Sequence, residues 1–226
     1  MTDQPTLALI HTVPVAIEIM REPIADLLPE VHTFNMLDES LLQEALRLGY
    51  ISKGVTRRLC RHVTSAAEAG ADAILVTCSS ISPTVDAARS LVDAPVFKID
   101  DAMTAKAVEL GTRIGVTATA PSTLKPTSEL VLRKAKEAGK EVTVESLLCE
   151  GAFDALRRGD RKAHDGIVRE RVIGLARKVD VVILAQTSMS RLEPELRRAV
   201  STTVLTSPRL CIEQIKKVLT ATSASS

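Results

Sequence analysis

The sequence predicts an α/β protein made of two similar halves, each built on a parallel sheet. Three observations carry this. Two apolar runs without charge, Ala73-Ile74-Leu75-Val76 and Val181-Val182-Ile183-Leu184-Ala185, close on small polar residues, Thr77-Cys78-Ser79-Ser80 and Gln186-Thr187-Ser188. Such runs suit strands buried on both faces of a parallel sheet. Strand and helix signals alternate along the chain, as in β-α-β units. Finally, an offset of 108 residues lays Asp72 on Asp180, Cys78 on Gln186, Ser80 on Ser188, Ser82 on Ser190 and Val96 on Val204, and an offset of 107 lays Thr12 on Thr119.

In order, Leu7-Ala8-Leu9-Ile10 is a strand ending at His11-Thr12, and Val15 to Leu28 is a helix that Pro14 suits at its start. Val31 to Phe34 is a second strand, closed by a polar loop from Asn35 to Ser40 that includes Asp38 and Glu39. Leu41 to Leu48 is helical, and a longer amphipathic helix runs from Lys53 to Ala69 until Gly70 stops it. The Cys78 strand follows, and Ser82-Pro83 opens a helix over Thr84 to Leu91. Pro95 to Ile99 is a fourth strand, with Asp100 and Asp101 at its end, and Met103 to Leu110 is the next helix.

The pattern then restarts. Arg113 to Val116 is a strand running into Thr117-Ala118-Thr119, and Leu124 to Ala138 is a helix followed by Gly139. Val142 to Leu148 is a strand closed by Cys149-Glu150-Gly151, and Ala163 to Lys178 is a long helix. After Val181 to Ala185, the last strand is Thr203-Val204-Leu205 and the closing helix Cys211 to Leu219, with a frayed Ser-rich tail beyond it. The expected organisation is two Rossmann-like halves, 1–110 and 111–208, with the helix at about 209–220 packing back on the first. The halves are expected to be related by a pseudo-twofold axis with a cleft between them.

Composition narrows the function. Hydrophobic residues make up 45% of 226, enough for a substantial core, while aromatics are only 2% with no Trp. That disfavours stacking platforms for single-stranded nucleic acid. Net charge is +1 with both signs interspersed, so neither nucleic acid nor a polybasic membrane surface has support as a partner. No run approaches the roughly 18 apolar residues of a membrane span. The first residues, Met1-Thr2-Asp3-Gln4-Pro5, carry no basic segment or signal-peptide core. Cys60, Cys78, Cys149 and Cys211 show no metal-ligand spacing, and a cytoplasmic, reduced protein is expected. P-loop and glycine-rich dinucleotide signatures are missing, and Gly115 alone makes no cofactor loop, so no cofactor and no metal are expected.

Cys78 is the leading catalytic candidate. It follows a charge-free strand, where open α/β sheets place ligands. A helix starting just beyond it would favour the thiolate, and a thiolate can take a proton from carbon or attack it. The alternative is a buried cysteine acting as a small hydrophobe. Thr117, Thr119, Ser122 and Thr123 form a dense hydroxyl group at a strand end and helix start, suited to a carboxylate or phosphate. Helix capping by Ser122 or Thr123 is the alternative. Ser79, Ser80, Thr187 and Ser188 share that ambiguity. His11 stands at a strand end, where a structural hydrogen bond competes with titration near neutral pH. His164-Asp165 opens a helix on the presumed cleft side, Arg191 is the nearest candidate cation, and Cys60 and Cys211 read as core.

These features resemble the aspartate/glutamate racemase superfamily, which includes the hydantoin racemases. Thr77-Cys78-Ser79-Ser80 is similar to that family's first-half cysteine motif. Ala185-Gln186-Thr187-Ser188 stands where a second cysteine is common, and Gly115-Val116-Thr117-Ala118-Thr119-Ala120-Pro121-Ser122-Thr123 is similar to a carboxylate-binding stretch. The resemblance covers nearly the whole chain. It implies a cofactor-independent racemase or isomerase on a small anionic substrate, with Cys78 as acid and base. Thr12, Ser79, Ser80, Thr119, Ser122, Thr123, Gln186, Thr187 and Ser188 are the implied substrate-binding residues. Homo-oligomers are common in enzymes of this kind. Racemases of this type use two cysteines flanking the substrate carbon, and Gln186 replaces the second thiol here. An amide does not exchange protons usefully near pH 7, but it can hydrogen-bond a carboxylate or an enediolate. A decarboxylase or other lyase using one thiol is therefore the alternative. The arylmalonate decarboxylases of the superfamily carry theirs in the second half. A non-catalytic binding relative is a third reading.

Overall fold

Short parallel strands carry the fold, and the inner strands of each sheet are buried and largely apolar through their centres. The computed structural model describes residues 4–223. In chain order these form β1 (Thr6–His11), α1 (Pro14–Leu27), β2 (His32–Leu37), α2 (Glu39–Leu48), α3 (Lys53–Glu68), β3 (Ala73–Val76), α4 (Val85–Arg89) and β4 (Val96–Lys98). Then come α5 (Asp101–Leu110), β5 (Arg113–Ala118), α6 (Pro121–Glu137), β6 (Thr143–Leu148), α7 (Ala152–Arg157), α8 (Arg161–Ala176), β7 (Val181–Leu184), α9 (Glu193–Ala199), β8 (Thr203–Thr206) and α10 (Ser207–Ser223). Among the described residues, no helix is long and apolar enough to cross a membrane.

The chain divides into two compact units, one ending at Ile99 and resuming at Pro208, the other spanning Asp100–Ser207. In the first, the strand order is β2-β1-β3-β4, and in the second it is β6-β5-β7-β8. All pairings are parallel. Each unit is thus the same four-stranded α/β arrangement. In the first sheet Ala8, Ile10, Ile74 and Val76 face the core shared with α3 and α4 residues such as Val55, Leu59, Val63 and Val85. Leu7, Leu9, Ala73 and Leu75 face the other way, onto Met20 of α1 and Cys211, Ile212, Ile215 and Leu219 of α10.

The supports of the two sheets repeat position for position. Asp72 Oδ2 accepts from the backbone N–H of Thr6 at 2.7 Å, and Asp180 Oδ2 from that of Arg113 at 2.9 Å. Arg89 Nε donates to the Val96 carbonyl at 2.9 Å, and Arg197 donates to that of Val204 at 3.4 Å. The end of β4 is tied to α4 by Lys98 Nζ on Asp86 at 2.7 Å. The end of β8 is tied to α9 by the Thr206 hydroxyl on Glu193.

Several sequence expectations shift. The sequence puts the start of the second half at residue 111, whereas α5 packs on α6 and β7 and the compact unit starts at Asp100. The strand expected to stop at Phe34 continues as β2 to Leu37, because β1 pairs with it in register as far as His11↔Leu37. Asp38 accordingly caps α2, accepting from the Ser40 N–H at 3.0 Å. The helix expected from Thr84 to Leu91 is shorter: a 3₁₀ turn, Ser82–Thr84, leads into the five-residue α4. Two short helices, α7 and α9, carry too little apolar periodicity to be read from sequence. Helix α10 runs on to Ser223, past the point where fraying was expected, and the last serines of that tail lie outside the described residues.

Gly115 has a packing role. A Cβ there would lie 2.7 Å from Leu175 Cδ2 and 2.9 Å from Leu175 Cγ, so its absence lets α8 lie close on β5. Gly115→Val is expected to lower unfolding stability by about 1–3 kcal/mol through overpacking, read as a shift of the urea midpoint at unchanged slope.

Candidate functional site

In each sheet the chain goes out from the inner strand to one neighbour and returns to pair on its other side. Open α/β sheets bind ligands at the carboxyl ends of two strands flanking such a switch. In the first unit these ends are His11-Thr12 after β1 and Thr77-Cys78-Ser79-Ser80 after β3. Strand β3 is wholly buried, so the first polar side chains fall where it leaves the sheet.

A hydrogen-bonded chain joins three strand ends there. Thr77 Oγ lies 2.8 Å from His11 Nδ1, and His11 Nε2 lies 2.8 Å from Asn35 Oδ1. Burial pushes the His11 pKa down, outweighing the Asn35 bond, which favours protonation. The ring is therefore neutral at pH 7, donating from Nε2 to Asn35 and accepting at Nδ1 from the Thr77 hydroxyl. Cys78 comes next and is half-buried between buried Thr77 and Ser79. The hydroxyl oxygens of Thr12 and Ser79 are buried and find no hydrogen-bond partner among the described residues. Leaving such a group unpaired costs about 1–3 kcal/mol, a cost a bound ligand would relieve. Beyond Cys78 the backbone turns, with the Ile81 N–H on the Cys78 carbonyl at 3.2 Å, before the 3₁₀ segment. The helix-dipole argument for a thiolate therefore loses its basis, since no α-helix starts beside the sulfur.

In the second unit the matching ends are Thr119 after β5 and Gln186-Thr187-Ser188 after β7. Here they touch. Gln186 Oε1 accepts from the Thr119 backbone N–H at 2.5 Å and from its hydroxyl at 2.8 Å. Helix α6 begins at Pro121 with Ala120 as N-cap and no side-chain cap, so neither Ser122 nor Thr123 serves as the capping residue. Thr117 is spoken for: its buried hydroxyl donates to the Ile183 carbonyl at 2.8 Å. Thr187 and Ser188 are half-buried at the start of a 3₁₀ segment, Thr187–Leu192.

The model of the Asp/Glu/hydantoin racemase family matches residues 16–215. The chain belongs to that family. No curated protein matches it. Among solved structures it is similar to a glutamate racemase from Bacillus anthracis, at 17% identity and a TM-score of 0.78, covering 96% of this chain and 82% of that one. It is equally similar in fold to a glutamate racemase from Francisella tularensis solved with D-glutamate, at 14% identity and a TM-score of 0.78, covering 98% of this chain and 83% of that one. An allantoin racemase from Klebsiella pneumoniae shares 19% identity with a TM-score of 0.73, covering 96% and 88%. At these identities the likeness establishes the fold.

The remaining candidates of this racemase-family chain have partners of their own. His164 is fully buried on α8, with Nδ1 2.7 Å from Asp165 Oδ1. Arg191 grips Asp165 with both guanidinium branches at 2.5 Å and lies 3.2 Å from His164 Nδ1. Burial raises the Asp165 pKa, but the Arg191 and His164 bonds outweigh it and hold the carboxyl below its ordinary range. Arg191 is thus neutralised by Asp165 rather than offered to a substrate carboxylate. Asp38, expected in a loop, accepts from Ser40 and pairs with His62 at 2.9 Å, which keeps it ionised despite burial. Cys149 is buried, and burial pushes its thiol up to about 11. Cys211 is buried and Cys60 half-buried, both on helices. Sequence reasoning missed the link from Asn35 through His11 to Thr77. The visible signal was a histidine and a threonine closing two strands that each follow an apolar run.

Because His11 is held neutral in the native state while the unfolded chain protonates near 6.5, the unfolded state binds the extra proton first as pH falls. The contribution of His11 is therefore complete above about pH 7 and lost progressively below 6.5. His11→Gln should flatten the fall in urea-unfolding stability between about pH 7 and pH 5, with His32, His62 and His164 common to both proteins.

Proposed function

We propose that the chain is a cofactor-independent isomerase or racemase-like enzyme that moves a proton at a carbon of a small carboxylate or carbonyl compound, with Cys78 as acid and base. Membership of the racemase family supports the reaction class. The observation that carries the assignment to Cys78 is its setting. A half-buried thiol sits at a topological switch point, next in sequence to one buried hydroxyl without a partner, Ser79, and at the same sheet edge as another, Thr12. As a thiolate, Cys78 takes the proton from the substrate carbon and becomes the thiol. Returning that proton to carbon restores the thiolate, so atoms and charge balance without an oxidant or reductant.

On this reading Thr12, Ser79 and Ser80 are the substrate-binding residues that accompany Cys78 in the first unit, and Thr119, Ser122, Thr123, Gln186, Thr187 and Ser188 are the substrate-binding candidates of the second, each unit taken by itself. The binding group is neutral rather than cationic, since Arg191 is paired. The same proposal extends to a cytoplasmic homo-oligomer; the four cysteines are free thiols, which suits a reducing compartment. A second reading has a specific observation in its favour. Gln186 stands at the position equivalent to Cys78 and supplies no proton, so a lyase such as a decarboxylase, which needs one protonation, also fits.

The experiment is deuterium incorporation from D₂O into a panel of small amino, hydroxy and keto acids, followed by NMR. Loss of Cys78 as acid and base in Cys78→Ala should slow exchange by about 10²–10⁴-fold. Near wild-type exchange in that variant would sink the assignment. Carbon dioxide release instead of exchange would select the lyase. Iodoacetamide should label Cys78 well ahead of buried Cys149 and Cys211, and equal labelling of all three in the folded protein would also count against it.

A further inference from the structure

Helices α3 and α8 occupy the same place in the two units and match turn for turn. They have the same length, and the offset of 108 lays cap on cap. Ser52 accepts from the Val55 N–H at 3.1 Å, and Asp160 from the Ala163 N–H at 2.9 Å. The same offset sets His164 on Thr56, Asp165 on Arg57 and Arg191 on Pro83. The backbone repeats here and the side chains do not. In the first unit Thr56 is satisfied within its own helix, its hydroxyl donating to the Ser52 carbonyl at 3.2 Å, and Pro83 offers no donor. In the second unit the three aligned positions form one cluster. A tie that the matching frame does without is not needed to build that frame.

Asp165 is the centre of the cluster. Its Oδ1 lies 2.7 Å from His164 Nδ1 and accepts from one guanidinium branch of Arg191, while Oδ2 accepts from the other. Because the carboxylate is held ionised, it sets the tautomer: His164 Nδ1 carries the hydrogen and donates it to Asp165. His164 is fully buried, and its Nε2 has no partner among the described residues. A bare buried nitrogen costs stability, yet the second unit keeps an imidazole against Asp165. Arg191 belongs to the 3₁₀ segment Thr187–Leu192, whose first residues are Thr187 and Ser188. Helix α8 lies between the parallel strands β6 and β7 in the chain, so it runs back along the sheet and starts at the edge where those strands end. The segment has short-range bonds of its own, the Met189 N–H on the Gln186 carbonyl at 2.9 Å and the Ser190 hydroxyl on the Thr187 carbonyl at 2.8 Å. The grip of Asp165 on Arg191 fastens it to a helix 26 residues away in the chain.

We propose that Asp165 is a positioning residue. Held by His164 and holding Arg191, it keeps the Thr187–Leu192 segment in the one arrangement in which Thr187 and Ser188 meet the substrate. This rests on reading those two residues as substrate-binding. A segment already held surrenders less conformational freedom when a ligand arrives, and a segment that is loose binds more weakly by the fraction of time it is out of place. The same role accounts for a guanidinium that stands at this sheet edge with its charge cancelled: Arg191 is a strut.

The test is amide NMR on ¹⁵N-labelled full-length protein, comparing wild type with Asp165→Asn, Arg191→Gln and the double variant. Asp165→Asn keeps the size of the side chain and removes its charge. Hydrogen exchange at the Met189 amide is expected to rise about tenfold in either single variant, as suits a charge-assisted pair that is partly exposed. Amides of β7, and of α8 beyond Val168, should keep their rates. An ion pair that only stabilises the fold would speed exchange across the whole unit. Affinity is read from saturable shifts of the Thr187 and Ser188 amides with acetate, malonate, lactate, pyruvate and alanine as probes. At least one probe is expected to shift them, and Asp165→Asn to weaken it about tenfold. The double variant should match the worse single variant, since the two residues act as one tie. The proposal is overturned if no probe moves Thr187 or Ser188, or if Met189 exchange is unchanged or rises with the whole unit. Wild-type affinity in Asp165→Asn, or additive losses in the double variant, would overturn it too. None of these readings needs turnover. Near wild-type deuterium incorporation in Cys78→Ala would remove the acid–base reading and leave the strut standing, whereas an unmoved segment in Asp165→Asn with Cys78-dependent turnover intact would do the reverse.

Discussion

A strand buried on both faces has no room for a polar side chain until it leaves its sheet. That constraint organises both units. Every residue of β3 and β7 is buried and apolar, and each inner strand is hemmed by neighbours and covered by helices on both sides. Polar side chains are consequently pushed beyond the strand, to Thr77-Cys78-Ser79 directly after β3 and to Gln186-Thr187-Ser188 one residue past the end of β7. Rigid apolar strands fix the backbone there to a degree that a surface loop would not. Hydrophobic packing is in this sense what positions the thiol and the amide.

Two kinds of residue respond differently to this constraint. The supports repeat: Asp72 and Asp180 receive the first N–H groups of the inner strands, and Arg89 and Arg197 bind the equivalent carbonyls of β4 and β8. The strand ends do not repeat. One unit has a thiol that follows Thr77, whose hydroxyl meets a neutral His11 linked to Asn35, and the other has an amide clamped by Thr119. A shared frame can tolerate this because a strand-end side chain contributes little to the core beneath it. The two ends are therefore free to differ in side chain while the frame beneath them stays the same.

Much of the fold was legible because parallel strands and long amphipathic helices leave strong periodic signals. The offset that aligned Asp72 with Asp180 and Val96 with Val204 proved structural, since each pair makes the same hydrogen bond. Short elements were harder. Helix α4 is five residues long and α7 six, each too short for a helical period to emerge, and β2 extends to Leu37 only because β1 offers partners that far. At the site, strand-end position was legible for Cys78, Thr119 and Gln186, but contact was not. Nothing in the sequence says that Arg191 is taken by Asp165, or that the glutamine carbonyl is taken by Thr119. Those facts depend on side chains from separate loops meeting in space. The expected helix start beside Cys78 failed for the same reason, because a turn and a 3₁₀ segment intervene.

The return of α10 to the first unit has a consequence for biosynthesis. Met20, Leu7 and Leu9 are covered in part by Cys211, Ile212, Ile215 and Leu219, so one face of the first sheet waits for the end of the chain. At about 5–20 residues per second, the ribosome needs on the order of 5–20 s to make the intervening Asp100–Ser207 segment. Only at the close of that interval, when β8 has been made, can the second unit complete its own sheet, and the earlier one is still open on an apolar side. The nascent protein is therefore finished out of order: the part synthesised first is the part that matures last, with a surface for chaperones to guard in between.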